Sequence, residues 1–264
     1  MSRKEQAHFQ VKLDDGGSLA RRKTEILPDG LYLFEDEVEI EGVLRATIIT
    51  CKAWLLELYD LITGRLGFRS GKELVCPKTR RFGVLYPPFS ICEPCFRNFK
   101  GHLSGIAATD SLPAEFTNGP ILFDSTFSKP PSSVEQVLET LKAGDNRQSI
   151  EVNPKPSLLS LKAKRLIDED YLIQPSISGM AARLNVTPEH LSRQFKCDFG
   201  MSPSNYLRKL RVADAPLKLA KGEPVVNISQ DVGYNDLSRF YKQFRRTTAT
   251  SPGACKTILT GGRK

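Results

Sequence analysis

The chain has 264 residues, 40% of them hydrophobic and 26% charged, with a formal net charge of +8. That mixture is globular rather than disordered, and the length suffices for two domains of ordinary size. Lys52 and Glu57 interrupt the longest apolar runs, nothing approaches the roughly 20 apolar residues of a membrane span, and the start of the chain lacks the apolar core of a secretory leader, so the sequence predicts a cytoplasmic protein without a membrane partner.

Residues 1–25 are polar, carry Gly16-Gly17 and the basic cluster Arg21-Arg22-Lys23, and are expected to be a flexible arm. Residues 26–144 are expected to be a β-rich effector and dimerisation domain with a terminal helix. Short aliphatic, aromatic and β-branched runs at Leu31–Phe34, Val43–Thr50, Trp54–Leu61, Gly83–Tyr86 and Ile121–Phe123 alternate with turn residues such as Gly42, Gly64, Gly71 and Pro87-Pro88. Short strands with frequent turns predict a sandwich or barrel. A helix is then expected, with Ser132 as N-cap, Glu135 at the capping-box spacing and Gly144 as its stop. Val134, Val137, Leu138 and Leu141 give it one apolar face. That face would either make a homodimer or dock on the β-domain. Residues 145–156, polar with two prolines, are expected to be a linker.

The remainder, 157–264, has a helical period and holds the charge. It carries 18 Lys and Arg against 9 Asp and Glu, whereas residues 1–156 carry 20 against 21. Such asymmetry is the electrostatic footprint of a nucleic-acid-binding domain beside a neutral one. Leu158, Leu161, Leu166 and Ile167 form a first apolar stripe. Ile177–Leu184 is a short helix with Ala181 and Leu184 inward. Asn185 suits a left-handed helix end, Val186 plugs the turn, Thr187 caps and Pro188 opens a second helix with Leu191 and Phe195 inward. The grammar repeats. Ile228 and Val232 face inward, Gly233 turns, Tyr234 packs behind, Asn235 or Asp236 caps, and Phe240 and Phe244 face inward. Between the two units Ser204–Ala220 is expected to be a connecting helix, kinked at Pro216.

Two helix-turn-helix units joined by a helix resemble the DNA-binding domain of the AraC/XylS family of bacterial transcription regulators. The resemblance rests on Ala181…Leu184-Asn185-Val186-Thr187-Pro188…Leu191-Ser192-Arg193…Phe195-Lys196, on Gly200-Met201-Ser202-Pro203…Tyr206-Leu207…Leu210-Arg211…Ala215, and on Ile228…Val232-Gly233-Tyr234-Asn235-Asp236…Ser238-Arg239-Phe240…Phe244-Arg245…Ser251-Pro252. It implies recognition helices at Thr187–Lys196 and Asp236–Arg245 and double-stranded DNA as partner. The positions matching family base contacts are Glu189, Ser192 and Arg193, then Leu237, Ser238 and Lys242. Lys196 completes the outer face of the first recognition helix. Arg208, Lys209, Arg239, Arg245 and Arg246 are candidates for the phosphates. The family further implies contact with RNA polymerase, and activation is its commoner behaviour. The chain departs from the family pattern at Ala249, where a glycine is usual, and at Cys255-Lys256, where Tyr-Arg is usual.

The fold class implied is therefore α+β by domain: a mostly-β, cupin-like barrel or sandwich followed by an all-α domain with two helix-turn-helix units. The cupin likeness rests on order and length, and on a hairpin from Leu61 to Pro77 turning at Gly71. His8 and His102 are too few for the metal site of a cupin enzyme, and the chain is not expected to be an enzyme. The N-terminal half would receive a signal, with a small-molecule effector as one candidate. Cys92-Glu93-Pro94-Cys95 is the other, because a CxxC pair can hold a metal or form a reversible disulfide, though cysteine is also a common core residue. Four N-terminal cysteines also raise a fusion like the alkylation-repair proteins. Their spacing does not fit it, and the Pro-Cys-His-Arg motif is absent.

Overall fold

In a computed structural model of the chain, the residues described are 9–12, 18–26, 32–109, 113–116, 119–125, 131, 133–151, 155–173, 176–248 and 250–259. The N-terminal part comprises β1 (Phe9–Lys12), β2 (Ser18–Ile26), β3 (Tyr32–Ile40), β4 (Val43–Arg45), β5 (Ile48–Ile49), β6 (Trp54–Ser70), β7 (Glu73–Val75), β8 (Arg81–Tyr86), β9 (Ile91–Cys92), β10 (Pro94–Ala108), β11 (Ile121–Asp124), α1 (Val134–Ala143) and β12 (Asp145–Ser149). Ten strands make one sheet in the order β1-β2-β3-β10-β6-β8-β11-β12, with β4 added on β10 and β7 on β6. The short β5 and β9 pair apart from it.

The long strands β6 and β10 are the spine, paired antiparallel from Trp54 opposite Ala108 to Phe68 opposite Pro94. Side chains alternate between the faces of a strand, so one strand can serve two cores. Trp54, Leu56 and Leu58 face a cluster closed by Val137 and Leu141 of α1. Tyr59, on the other parity, joins Leu66, Phe68, Phe82 and Phe99 in a second cluster. Buried within that region is the Glu57 carboxylate, whose Oε2 accepts from the hydroxyls of Tyr59 and, at 2.9 Å, Tyr86. Burial first, and then the adjacent carboxylate, pushes both phenols well above the ordinary tyrosine value.

Gly64, expected as a break, instead lies inside β6. Its φ of +87° and the φ of +45° at Asn98 mark the place where the β6–β10 register shifts. A Cβ on Gly64 would stand 2.0 Å from the Asn98 carbonyl oxygen, so only glycine allows the two backbones to pass. The expected hairpin turning at Gly71 is present, with Ser70 opposite Glu73.

Several expectations need correcting. The arm contains two strands, β1 and β2, and β2 runs along β3 with Arg21, Arg22 and Lys23 in register with Glu37, Asp36 and Glu35. The expected linker begins with β12, which pairs with β11. The cap of α1 is Ser133, whose Oγ accepts from the Gln136 amide, rather than Ser132, which lies outside the described residues. The apolar face of α1 is used within the chain. Val137 and Leu141 are buried against the sheet with Val134 and Leu138 beside them, so this face is not a free dimer surface.

The C-terminal part is helical: α2 (Leu158–Asp170), α3 (Ile177–Arg183), α4 (Pro188–Phe199), α5 (Pro203–Ala220), α6 (Val225–Asp231), α7 (Leu237–Thr248) and α8 (Pro252–Leu259). The inner face of α2 is Ser160, Ala163 and Ile167, whereas Leu158 and Leu161, expected inward, are exposed. Helix α5 continues through Pro216 to Ala220. Helix α8 follows Ser251, whose hydroxyl accepts from the Ala254 amide.

The two parts share cores. Cys51, Ala53 and Ile91 pack with Ile167, Tyr171 and Phe195. Phe34 and Ala107 pack with Val212, Ala215 and Leu219. Lys164 donates to the Phe89 carbonyl at 2.8 Å, and the Cys51 thiol faces the Ala213 carbonyl at 3.6 Å. Burial, with Asp214 nearby, pushes that thiol up to about 12, so it serves as a small core residue.

Candidate nucleic-acid interface

Each unit is built by the same local chemistry. In the first, the turn after α3 passes through Asn185 with φ +52°, a conformation asparagine tolerates better than most residues. Thr187 Oγ1 accepts from the His190 amide at 3.2 Å and Pro188 follows at the helix start, so α4 begins where its sequence predicts. Leu191 and Phe195 are fully buried, and the helix stops at Gly200 in the left-handed region. The second unit uses a different cap. The Asp236 carboxylate accepts from the amides of Ser238 at 2.8 Å and Arg239 at 3.2 Å. Phe240 and Phe244 are fully buried, and the Tyr234 ring lies 5.5 Å from that of Phe240.

Burying one face of each second helix leaves the other outside. Glu189, Arg193 and Lys196 on α4 are exposed, with Ser192 half-buried among them. On α7 the residues Leu237, Ser238, Arg239, Lys242, Arg245 and Arg246 are all exposed. Arg193 makes no ion pair with Glu189 among the described residues; its guanidinium stands 3.5 Å from His190 Nδ1. Of the expected phosphate partners, Arg208 is exposed, but Lys209 is half-buried near Glu93 of the β-rich part. Burial lowers its pKa and Glu93 partly restores it.

Two binding groups between elements were not foreseen. Asp198, near the end of α4, accepts from the Ser157 amide and hydroxyl and from Gln194, tying the start of α2 to α4. Burial raises its pKa, but those hydrogen bonds outweigh it and hold the carboxyl below the usual range. Arg211, buried in the middle of α5, donates Nε to the Tyr171 carbonyl at 2.7 Å and Nη1 to the Gly233 carbonyl at 2.8 Å. It thereby joins the end of α2 to the turn of the second unit. A lone arginine in a helix gives no sequence signal of this kind.

The CxxC cysteines sit in different surroundings. Cys92 is fully buried in the aromatic core, and burial raises its thiol far above the ordinary value. Cys95 lines an open cleft with Arg45 and Arg97. Among the described residues, no group of three or more His, Cys, Asp or Glu side chains could hold a metal ion. No described helix is long and apolar enough to cross a membrane.

Substituting Thr187 by Ala is expected to lower stability by about 1 kcal/mol, the usual loss for an N-cap hydroxyl. The urea midpoint of the full chain checks this. An unchanged midpoint would mean that solvent satisfies the His190 amide equally well.

The helical part thus consists of two helix-turn-helix units on a common connecting helix, each presenting a polar outer face. Residues 180–257 match a family model described as a helix-turn-helix domain. This segment is an AraC-type helix-turn-helix domain. Among curated proteins, the chain is 26% identical over 119 residues to the HTH-type transcriptional activator RhaS of Pectobacterium carotovorum, covering 45% of this chain and 39% of that one. It is 33% identical over 87 residues to the raffinose operon transcriptional regulatory protein RafR of Pediococcus pentosaceus, covering 33% and 31%. The chain therefore spans about a third to two fifths of the length of these relatives. Among solved structures, the C-terminal domain of AraT, a response regulator from Geobacillus stearothermophilus, is 27% identical with a TM-score of 0.37, covering 39% of this chain and 86% of that one.

Proposed function

We propose that the chain is a sequence-specific DNA-binding transcription regulator whose β-rich part, about residues 26–144, receives a signal. The single observation that carries this reading is the pairing of two capped helices with buried aromatic inner faces and exposed polar outer faces, α4 and α7, on one connecting helix. A helix of that kind is what a major groove admits. Arg193, Glu189 and Ser192 read base edges in one groove segment, with Lys196 beside them. Leu237 and Ser238 do so in the next, and Lys242, Arg239 and Arg245 hold phosphates. RNA polymerase is the second macromolecular partner, and activation is the expected outcome, as the names of several relatives suggest.

The test is selection from random double-stranded DNA with the full chain. A single enriched motif is expected, with affinity falling steeply as salt rises, because each neutralised phosphate releases condensed counterion. Recovery of DNA without any sequence preference would remove the reading.

A further inference from the structure

On the outer face of the β-rich part lies a cleft of about 660 Å³, well within the range of metabolite-sized pockets. Beside it, Gly67 in β6 leaves room for the side chains of Leu74, which lines the cleft, and Cys76. A Cβ on Gly67 would stand 2.6 Å from Leu74 and 2.9 Å from the Cys76 sulfur. Cys95 of β10 is in register with Gly67 on one side and with Arg45 of β4 on the other, so Arg45, Cys95 and Gly67 share one face. Arg97, two residues on, shares it too. Around the rim stand Arg45, Arg69, Lys72 and Arg97 against two carboxylates, Glu73 and Glu93.

These charges are not balanced internally. Glu93 is committed to Arg69, at 3.0 Å. Arg45, Lys72 and Arg97 have no ion pair or side-chain hydrogen bond among the described residues, and all three are exposed. Three such cations against the one remaining rim carboxylate, Glu73, leave a net positive concave surface, and a bound anion relieves their repulsion. Two of the three are arginines, whose planar forks match carboxylate and phosphate oxygens in pairs.

We propose that this cleft binds a small polyanion, a metabolite bearing two or more carboxylate or phosphate groups, held by Arg45, Arg97 and Lys72. This rests on the reading of the chain as a regulator with a signal-receiving part, and it supplies the chemical class of the signal. The geometry also gives a route to the DNA-binding half. The other Glu93 oxygen, Oε1, lies 3.0 Å from where a Cβ on Gly200 would be, at the end of recognition helix α4. The same carboxylate acts favourably on Lys209 of α5. An anion entering the cleft competes with Glu93 for Arg69, and the released carboxylate alters the contact with the end of α4.

The experiment is calorimetric titration of the full chain with citrate and, separately, with inorganic pyrophosphate, at ionic strength held constant with sodium chloride. At least one probe should bind the wild type. The double variant Arg45→Gln/Arg97→Gln should bind it at least tenfold more weakly, and Glu93→Gln, which frees Arg69, should bind it more tightly. Lys72→Gln, in an exposed turn, is the second variant should the double one not fold, and it too should weaken binding. Comparing the two probes shows whether carboxylate or phosphate is preferred. The proposal is overturned if neither probe binds the wild type, or if the folded variants bind as the wild type does. It is also overturned if the double variant, without any anion, loses affinity equally for all DNA sequences, since the cleft would then be a DNA backbone contact. The regulator reading fails separately, by loss of sequence preference in wild-type DNA selection.

Discussion

Replacing Arg211 by Ala should lower the stability of the full chain by about 2–4 kcal/mol, a large share of what an ordinary domain has. Two effects oppose each other at this site. A buried guanidinium is costly to desolvate, and burial does lower its pKa, so deleting it brings some relief. Against this, each hydrogen bond from a charged donor contributes about 1.5–3 kcal/mol. Arg211 makes two of them, to the carbonyls of Tyr171 and Gly233. It also lies 5.9 Å from the face of Tyr234, and its Cζ would stand 2.8 Å from a Cβ on Gly233, so the second unit closes directly over it. Alanine removes the donors and leaves a cavity beneath that turn. Lysine should recover part of the loss, offering one point of charge in place of a fork. Methionine, similar in volume but without donors, separates packing from hydrogen bonding. Urea unfolding of the three variants checks this. If Arg211→Met is as stable as the wild type, the hydrogen bonds contribute nothing net and the guanidinium is only a filler.

How much of this was legible depends on where each residue finds its partner. The helix-turn-helix units were readable because their grammar is local. Thr187 caps an amide three residues away, Asn185 takes its own left-handed turn, and Leu191 and Phe195 repeat at helical spacing. The β-rich part depends on distant partners. Strand β10 reads poorly because of Gly101 and Gly105. The structure gives a reason for both: a Cβ on Gly105 would meet the Phe34 ring at 2.1 Å, and one on Gly101 the Asp60 carbonyl at 2.6 Å. The middle of strand β2, Arg21 to Lys23, is basic and in register with Glu37, Asp36 and Glu35 of β3, a pairing that hydrophobic periodicity cannot detect. Strand β12 has no apolar residue at all and is held by its neighbour β11. On α2 the small residues Ser160 and Ala163 lie inward because α4 packs close, while the leucines that looked like core stay outside. The exposed outer faces that carry the DNA-contact candidates were legible for the same local reason as the caps. The cationic cleft was not, since it draws on β4, β6, β10 and the β6–β7 turn at once.

Arg193→Ala should damage sequence discrimination more than Lys242→Ala does. A guanidinium that meets guanine O6 and N7 together is worth about 1–3 kcal/mol at one base pair, or roughly 5- to 150-fold. Such a contact requires that the fork be aimed. Arg193 is flanked in sequence by Leu191 and Phe195, both fully buried, and α4 is fixed at its start by the Thr187 cap and near its end by Asp198. Its side chain is exposed and is not spent on Glu189; the nearest polar partner is His190 at 3.5 Å, the outer limit of a hydrogen bond. Lys242 is also exposed, but it is a flexible point charge. Losing it should weaken binding evenly across sequences and reduce the salt dependence by about one phosphate. The measurement is the affinity of each variant for the selected DNA and for its single-base substitutions, at one fixed salt concentration. Arg193→Ala should become indifferent to one position while remaining sensitive at the others. If Arg193→Ala instead loses affinity equally on every sequence, and Lys242→Ala relaxes one position, the base reader lies on α7 and the phosphate partner on α4.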